Sequence, residues 1–299
     1  MVHFNECPLC SSSKISLFLK CKDHFLSKED FDLFRCSACD FVFTQDLPDE
    51  QGIGRYYESY DYLSHNYTAK GFINKIYFLV RRIMLRRKRA IIKDATGLKR
   101  GSLLDIGSGT GHFSGSMKEV GWLVTGVEPN KKARDYSIRR YGVNIIDPEH
   151  ISELLTGSFD CITLWHVLEH LQEPFKYAVD INRLLKPDGI CVVALPNNNA
   201  FDAVFFKEFW AAYDVPRHFW HFNPSTFELF SKKTGFEITG IKSLPFDVFY
   251  ISILSARYKG SDIPLIFVIV RSLWFAIKSV FQKEKSSSLI YFLKKSSNQ

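Results

Sequence analysis

Two carboxylates and a glycine-rich loop form the most informative pattern in the sequence. Asp105 lies in the short apolar run Ser102–Ile106, and the loop GSGTG follows it directly. The glycines of this loop are Gly107, Gly109 and Gly111. Glu128 ends the next apolar run, 19 residues after Gly109. A glycine-rich turn between a strand and a helix lets a ligand approach the backbone, and an acidic residue after the second strand can accept hydrogen bonds from a ribose.

The chemical character of the loop narrows the choice of ligand. A dinucleotide-binding fingerprint has a third glycine where this sequence has His112. The carboxylate of Asp105 would repel a pyrophosphate and attract a cationic group. The pattern therefore predicts a nucleoside that carries positive charge and no phosphate, and S-adenosylmethionine fits this description. The alternative is a structural glycine turn followed by a surface glutamate.

Apolar runs alternate with helix-like segments between residues 100 and 195. The strand candidates are 102–106, 122–127, 143–146, 159–165 and 189–195. Continuous apolar strands separated by helices indicate a parallel sheet that is covered on both faces. Ligands of such sheets bind beyond the carboxyl ends of the strands. We therefore expect one crevice to be lined by residues 105–111, Glu128, Asp147, 165–166 and 196–199.

Three segments resemble class I S-adenosylmethionine-dependent methyltransferases. They are LLDIGSGTGHF at 103–113, VEP at 127–129 and FDCITLWHVLEHLQEP at 159–174. Residues 196–236, which include DVPRHFWHFNPSTFELFSKKTGF, are similar to a bacterial subgroup that acts on small molecules, including sugar, polyketide-like and quinone-type acceptors. The resemblance covers about residues 55–245. It implies an α/β fold with a seven-stranded, doubly wound Rossmann-like sheet whose last strand is antiparallel, the final two strands coming from residues 236–255.

The resemblance also implies which residues hold the cofactor. They would be Asp105, Gly107, Gly109, Gly111, Glu128, Asp147, Trp165 and His166. The aspartate and the glycines of the loop would hold the methionine part, and Glu128 the ribose. Asp147, together with His150, would lie near the adenine. The adjacent tryptophan and histidine at 165–166 would form part of the cofactor wall.

Methyl transfer from a sulfonium requires the nucleophile to be aligned with the methyl group and to lose its proton. Histidine can accept that proton near neutral pH, and the candidates are His166, His170, His218 and His221. Because DVPRH lies where the subgroup has substrate-facing residues, we expect His218 to be the base and Asp214 to orient it. Arg217 would bind an acidic acceptor group or lock the loop, and His170 would face the acceptor.

Less specific interpretations of these histidines stay open. HVLEH at 166–170 matches the H-x-x-E-H pattern of a metallopeptidase class, although the sequence shows no third ligand. In place of a role in catalysis, His170 would cap a local turn or pack against neighbouring side chains. Residues 214–218 would then form a purely structural loop.

Four of the seven cysteines form two C-x-x-C pairs, which are Cys7 with Cys10 and Cys36 with Cys39. Four thiolates suit tetrahedral Zn²⁺ and leave no coordination position open, so the metal would be structural. Redox-active or simply buried thiols are the alternatives. Similar pairs precede the catalytic part of some sugar C-methyltransferases. The remaining cysteines are Cys21, expected to be a spare, and Cys161 and Cys191, expected in the core.

Positive charge is concentrated in one segment. Residues 70–100 carry eleven basic residues against Asp94 alone, whereas the whole chain has a formal net charge of +7. The basic helix expected at 72–93 would end in solvent, or it would contact an acidic membrane surface, a lipid-linked acceptor or nucleic acid. Together with a zinc module it would suit a ribosomal RNA methyltransferase, which is the rival function. A non-catalytic zinc-containing interaction protein is the third hypothesis.

The segment 263–281 is the most apolar part of the chain. Arg271 and Lys278 interrupt it, so we do not expect it to span a membrane. These two cations are seven residues apart and therefore share one helical face. The pattern is compatible with a helix in the membrane interface and equally with a core or dimer helix.

Composition and segment boundaries complete the prediction. With 299 residues of which 46% are hydrophobic, a disordered or fibrous chain is excluded. MVHFNECPLC has no basic stretch followed by an apolar one, so we expect no secretory signal and a cytoplasmic protein, with peripheral attachment to the inner membrane face as the alternative. We expect four segments. A zinc-ribbon-like module (1–50) is followed by a segment (51–95) that holds a helical cap, with Tyr56, Tyr57, Tyr60 and Tyr62, and the basic helix. A methyltransferase domain (96–255) with an acceptor-site insertion (196–235) comes next, and an apolar amphipathic helix with a polar tail (256–299) ends the order. The oligomeric state is not predicted.

Overall fold

The computed structural model describes residues 1–57, 72–260 and 263–296. Tyr60 and Tyr62, which we expect in the helical cap, lie outside the described residues. The strands are β1 (Ile15–Lys22), β2 (Asp30–Cys36), β3 (Val42–Thr44), β4 (Ser102–Ile106), β5 (Leu123–Val127), β6 (Asn144–Ile146), β7 (Phe159–Trp165), β8 (Leu185–Pro196), β9 (Trp220–His221), β10 (Phe236–Ser243) and β11 (Ser288–Lys295). The α-helices are α1 (Glu50–Ile53), α2 (Phe72–Thr96), α3 (His112–Glu119), α4 (Lys131–Tyr141), α5 (Pro174–Leu184), α6 (Phe201–Phe206), α7 (Pro224–Lys233), α8 (Asp247–Tyr258) and α9 (Leu265–Phe281).

A seven-stranded sheet forms the centre of the molecule. Its strand order is β10–β11–β8–β7–β4–β5–β6. Strand β11 is antiparallel to both of its neighbours, and the other six strands run in one direction. This confirms the predicted doubly wound sheet, in which the order reverses between β4 and β7. A ligand crevice is expected at that reversal.

The two faces of the sheet are covered by different helices. Strand residues point alternately to opposite faces. Ile162 and Leu164 of β7 therefore pack with α5 and α7, whereas Cys161 packs with α2 and α3 on the other face. Cys191 is buried like Cys161, as expected for core cysteines. Burial on both faces explains why these strands are continuous apolar runs.

The last strand of the sheet comes from a part of the chain that the sequence does not predict to be a strand. Residues 236–255 supply one strand, β10, and α8 follows it. The remaining strand is β11, within the expected polar tail at 256–299, and six of its eight residues are buried. The assignment of the final two strands to 236–255 is therefore wrong. SLIYFLKK can fill this position because its apolar side chains cover both faces where it pairs with β8 and β10.

The N-terminal cysteine module is joined to the rest of the fold by a shared sheet. Strands β1, β2 and β3 pair in antiparallel order, and β9 pairs with β3 as the fourth strand. The ring of Phe41 packs against the rings of Trp220 and Phe222 across this junction. Cys21, expected to be a spare, is buried among side chains of α6, α8 and α9. The module is therefore packed onto the methyltransferase-like part.

A buried arginine adds an ionic link at the same junction. Arg217 is 2% exposed, and its Nη2 atom lies 2.9 Å from Oδ1 of Asp23 and 2.7 Å from Oδ1 of Asp214. Its Nε also donates to Asp214, and its Nη1 donates to the Tyr56 carbonyl. The charge of Arg217 is thus neutralised by carboxylates of the protein. Of the two predicted roles for Arg217, the structure favours the lock on its loop over the binding of an acidic acceptor group.

We predict that Arg217→Met lowers the free energy of unfolding by about 3–5 kcal/mol, because Asp23 and Asp214 would lose the cation that neutralises them in a buried site. Urea denaturation measures the change. The matched control is Arg35→Met, which removes the exposed pair with Asp40 and should change stability by less than about 1 kcal/mol. Equal, small effects of the two substitutions, with a raised KM for the acceptor in Arg217→Met alone, would instead assign Arg217 to acceptor binding.

Candidate functional site

The glycine loop after β4 has a geometry that larger residues would disturb. Gly107 and Gly111 have φ angles of +71° and +73°. A Cβ atom on Gly107 would lie 2.3 Å from Val167, and one on Gly111 would lie 1.8 Å from Oγ of Ser137. The tight turn and the close approach of neighbouring side chains thus explain the spacing of glycines in the sequence.

The two predicted carboxylates lie on adjacent parallel strands at the loop. Glu128 is buried, and its Oε2 accepts a hydrogen bond of 2.8 Å from the amide of Gly109, while Oε1 accepts one of 2.9 Å from the amide of Asn130. Asp105 accepts hydrogen bonds from Ser114 and Thr163. Burial raises the pKa of both carboxyl groups. Two acidic groups of low hydration therefore border the loop, and they favour a cationic ligand.

A lysine from the basic helix enters this cleft. The Nζ atom of Lys88 lies 4.3 Å from the ring of Trp165 and 5.6 Å from the ring of Phe113. Burial lowers the pKa of Lys88 to about 8, although the charges of Asp105 and Asp247 act in the opposite direction. The indole Nε1 of Trp165 is buried without a hydrogen-bond partner among the described residues. An unpaired donor of this kind marks a place where a ligand or water is expected.

His166 is held between two carboxylates beside the cleft. Its Nε2 lies 3.2 Å from Oδ2 of Asp247, and its Nδ1 lies 3.5 Å from Oε1 of Glu169. Burial would lower the pKa of His166, but the two carboxylates outweigh burial and raise it to about 9. His166 is therefore protonated at neutral pH. This makes it unsuitable as the base, and the predicted place in the cofactor wall stays a prediction.

Glu169 and His170, in the turn after β7, meet His218 in a cluster in which one side-chain nitrogen or oxygen atom of each residue lies within 4.8 Å of the others. Glu169 and His218 are buried, and His170 is half-buried. The Nδ1 of His218 donates to the Ala212 carbonyl at 2.9 Å, which leaves Nε2 as the ring nitrogen that can accept a proton. Both carboxylate oxygens of Glu169 are buried, and the contact that the structure shows for them among the described residues is the ion pair of 3.5 Å between Oε1 and Nδ1 of His166. Burial would raise the pKa of Glu169, but the neighbouring histidines lower it.

His170 differs from His218 in its surroundings. Its Nδ1 lies 3.0 Å from the Arg217 carbonyl and 3.1 Å from the hydroxyl of Tyr57, and its ring stands edge-on to the ring of His218. Burial and the nearby charge of His218 lower the pKa of His170 to about 4. His170 is therefore a neutral neighbour of His218 at neutral pH.

Asp214 does not orient His218 in the predicted way. Its Oδ2 is 3.9 Å from Nε2 of His218, beyond hydrogen-bond distance, and both of its oxygens accept from Arg217. The Ala212 carbonyl orients the imidazole instead. A backbone carbonyl can accept the hydrogen bond from Nδ1–H as well as a carboxylate can. The aspartate at position 214 therefore does not predict which group orients the imidazole.

The expected adenine residues point in different directions. Asp147 forms an ion pair of 2.8 Å with Arg134 and accepts a hydrogen bond from the Glu149 amide. His150 pairs with Glu153, and more than half of its side chain is exposed. Asp147 thus stays at the end of β6 near Glu128, whose carbonyl also binds Arg134. His150 is exposed on the surface, where its recorded partner is Glu153.

Three other features singled out in the sequence have structural explanations. His221 is buried, and its Nε2 lies 3.0 Å from the hydroxyl of Thr44 in the four-stranded sheet. Residues 168–170 form a 3₁₀ turn, so His166 and His170 do not lie on one α-helical face as the metallopeptidase pattern requires. The side chain of Asn197 binds the carbonyls of Glu284 and Ser286 and thereby fastens the loop after β8.

The four predicted cysteine ligands converge at the edge of the N-terminal sheet. Their Sγ atoms lie within 4.8 Å of one another, with 3.6 Å between Cys7 and Cys39 and between Cys10 and Cys36. Zn–S bonds of about 2.3 Å in a tetrahedron place sulfurs about 3.8 Å apart. The two C-x-x-C turns are alike, because the amides of Ser11 and Asp40 donate to the carbonyls of Cys7 and Cys36. The donor set and spacing therefore fit a tetrahedral metal.

Sequence reasoning did not identify Lys88 and Asp247 as site residues. For Lys88 a signal exists, because Met84, Lys88 and Ile92 recur every four residues on the helix face that packs on the sheet. For Asp247 there is none. It is the first residue of a helix that follows β10, and only the tertiary fold brings its carboxylate to His166.

Comparisons with known proteins agree with this geometry. Residues 80–240, more than half of the chain, match the family described as a methyltransferase domain. A ubiquinone biosynthesis O-methyltransferase of Pseudomonas aeruginosa (strain LESB58) is 30% identical over 171 residues, which cover 52% of this chain and 73% of that protein. A protein of the same name from Nitrosococcus oceani is 29% identical over 188 residues, which cover 58% of this chain and 77% of the relative.

A solved structure supports the same fold. The 1,6-didemethyltoxoflavin-N1-methyltransferase of Burkholderia thailandensis, determined with bound 1,6-didemethyltoxoflavin and S-adenosylhomocysteine, has a TM-score of 0.52 at 15% identity. The similarity covers 92% of this chain and 100% of the other. Glycine loop, strand order and family match agree, and we conclude that the chain belongs to the methyltransferase domain family and is an S-adenosylmethionine-dependent methyltransferase.

Proposed function

We propose that this methyltransferase transfers a methyl group to a hydroxyl of a small-molecule acceptor, with His218 as the general base. The observation that carries the proposal is the buried imidazole of His218, whose Nε2 electron pair is free because Nδ1–H is bound to the Ala212 carbonyl. Relatives named as ubiquinone biosynthesis O-methyltransferases favour oxygen as the nucleophile and a small acceptor.

The residues at the β4–β5–β7 edge fit the cofactor. Bound S-adenosylmethionine supplies an activated methyl group on a sulfonium. Glu128 would accept hydrogen bonds from the ribose hydroxyls, and Asp105 would add negative charge near the cationic end. Lys88, which lies over Trp165 in the same cleft, is suited to the methionine carboxylate. The unpaired indole N–H of Trp165 provides a further donor.

The acceptor-side cluster provides the proton transfer. The acceptor oxygen forms the new bond to the methyl carbon while the carbon–sulfur bond breaks, and the hydroxyl proton passes to Nε2 of His218. Glu169 is a carboxylate close to that ring, and it stabilises the imidazolium as the proton arrives. We assign this stabilising role to Glu169, because Asp214 is committed to Arg217.

We predict that His218→Ala lowers kcat by about 10²–10⁴-fold, because the variant lacks the base. The Kd for S-adenosylhomocysteine should stay within about twofold, since His218 lies on the acceptor side. The matched control is His150→Ala, which removes an exposed histidine that pairs with Glu153. An unchanged kcat in His218→Ala would exclude this residue as the base.

The acceptor class is tested by supplying donor with an isotopically labelled methyl group to a fractionated cell extract and identifying the labelled product. We expect the label in a small organic fraction, bound to oxygen. Label in ribosomal RNA would support the rival function, which would use the basic helix α2 and the cysteine module as the RNA-binding surface. No label in any fraction, with donor binding intact, would support the non-catalytic alternative.

We further propose that Cys7, Cys10, Cys36 and Cys39 hold a structural Zn²⁺. Four thiol ligands leave no position for substrate. The metal would stiffen the two C-x-x-C turns, which border the sheet that β9 completes. Its effect on activity would be indirect, through the position of the segment that carries Arg217 and His218.

We predict one zinc per chain by elemental analysis, and loss of that zinc in the double variant Cys7→Ser, Cys36→Ser. Because metal binding would stabilise the folded module, removal of zinc by a chelator should lower the Tm. Cys21→Ala is the matched control, since this buried cysteine lies away from the cluster and should leave the zinc content unchanged. A metal-free chain with an unchanged Tm and an intact N-terminal sheet would refute the zinc site.

A further inference from the structure

Helix α9 exposes an apolar face along its whole length. Its outward residues are Ile266, Phe267, Ile269, Val270, Leu273, Trp274, Ile277, Val280 and Phe281, each with 38–82% of its surface exposed. At about 100° per residue they cover an arc of roughly 160°. The opposite side of the helix, with Val268, Ser272 and Phe275, is buried. A contiguous exposed apolar surface of this kind usually marks a protein or membrane interaction site.

The charges around this face are predominantly positive. Arg271 and Lys278 lie together at one edge of the apolar arc, where their cationic groups stand over the rings of Phe205 and Phe201 on α6. Further cations lie nearby in sequence: Arg257 and Lys259 at the end of α8, and Lys283 and Lys285 after α9. Among the described residues from 247 to 285, the acidic ones are Asp247, which binds His166, and Glu284.

We propose that the apolar face of α9 docks on the surface of an anionic lipid bilayer, with the helix axis parallel to the membrane plane. The apolar side chains would enter the boundary between headgroups and acyl chains, and the flanking lysines and arginines would contact lipid phosphates. The exposed indole of Trp274 is of the type that is enriched at this depth. None of the helices within 1–57, 72–260 and 263–296 is long and apolar enough to cross a membrane, so the contact is interfacial.

Charge distinguishes a bilayer from a second copy of the chain as the occupant. A second copy would bring the same six cations of residues 257–285 with two acidic residues of that segment, Asp262 and Glu284, to neutralise them, whereas anionic lipids neutralise every cation listed above. The proposed docking helix is connected to the cleft through α8. Helix α8 packs on α9, and its first residue, Asp247, contacts His166 at the cleft. The membrane-docking proposal is independent of the proposed acceptor, because the apolar face of α9 is exposed whichever substrate the enzyme uses.

Vesicle flotation with the full chain tests the proposal. We expect the protein to float with vesicles of about three parts phosphatidylcholine to one part phosphatidylglycerol, and to float much less with phosphatidylcholine alone. The double variant Val270→Glu, Trp274→Glu should bind at least about tenfold more weakly, because it places carboxylates on the docking face. Leu155→Glu is the matched control, since Leu155 is 78% exposed on a different part of the surface and should not change binding.

Fluorescence quenching locates the contact. Trp274 is exposed, whereas Trp122, Trp210 and Trp220 are buried. Brominated acyl chains should therefore quench an emission component that is lost in Trp274→Phe. Calorimetry with S-adenosylhomocysteine serves as the folding control, since the glycine loop is remote in sequence from α9.

Three outcomes would overturn the proposal. They are no flotation of the folded protein with either vesicle, equal flotation of the wild type and the double variant, and a concentration-dependent dimer in ultracentrifugation that the double variant abolishes. The third outcome would assign the face to a second copy of the chain.

Discussion

The hydrogen bond from the Gly109 amide to the Glu128 carboxylate joins the ends of two neighbouring strands, and the arrangement of the cofactor site depends on this junction. Strands β4 and β5 are parallel and paired in register, with Ile106 opposite Val127. The chain therefore leaves both strands at the same edge, and the left-handed glycines turn it back over the sheet. Both carboxylate oxygens of Glu128 accept hydrogen bonds from backbone amides. A ribose would share the same carboxylate without a rearrangement of the sheet.

A second constraint positions the proposed base. Arg217 is bound by Asp23 from the N-terminal module and by Asp214 from its own loop. The next residue in the chain is His218, whose imidazole is fixed by the Ala212 carbonyl. The position of the proposed base thus depends on two contacts with the cysteine module. Strand β3 of the module pairs with β9, and Asp23 of the module binds Arg217. A structural metal could in this way affect catalysis without contacting a reactant.

The sequence predicts those parts of the structure that are fixed by local pattern. Strands β4 and β5 and the apolar part of β8 are runs closed by Gly107, Glu128 and Pro196, and β7 is an apolar run followed by His166. The spacing of Asp105, the glycines and Glu128 follows from the strand–turn–helix geometry. Strand β11 is not predicted because SLIYFLKK is a short run between serines and lysines, and only its partners β8 and β10 make it a strand. Long-range pairing also explains why β9, the Asp23–Arg217 pair and the Asp247–His166 pair are invisible in the sequence.

The central claim, that the edge formed by β4 and β5 binds the adenosyl cofactor through Glu128, is tested most directly by titration calorimetry with S-adenosylhomocysteine. The account predicts that the wild-type chain binds with one site and that Glu128→Gln binds at least about tenfold more weakly, a loss of about 1.4 kcal/mol or more, because a charged hydrogen-bond acceptor is removed. Glu153→Gln, at an exposed carboxylate that pairs with His150, should bind like the wild type. Absence of binding to the folded wild-type chain, or equal affinities of the wild type and Glu128→Gln, would contradict the account.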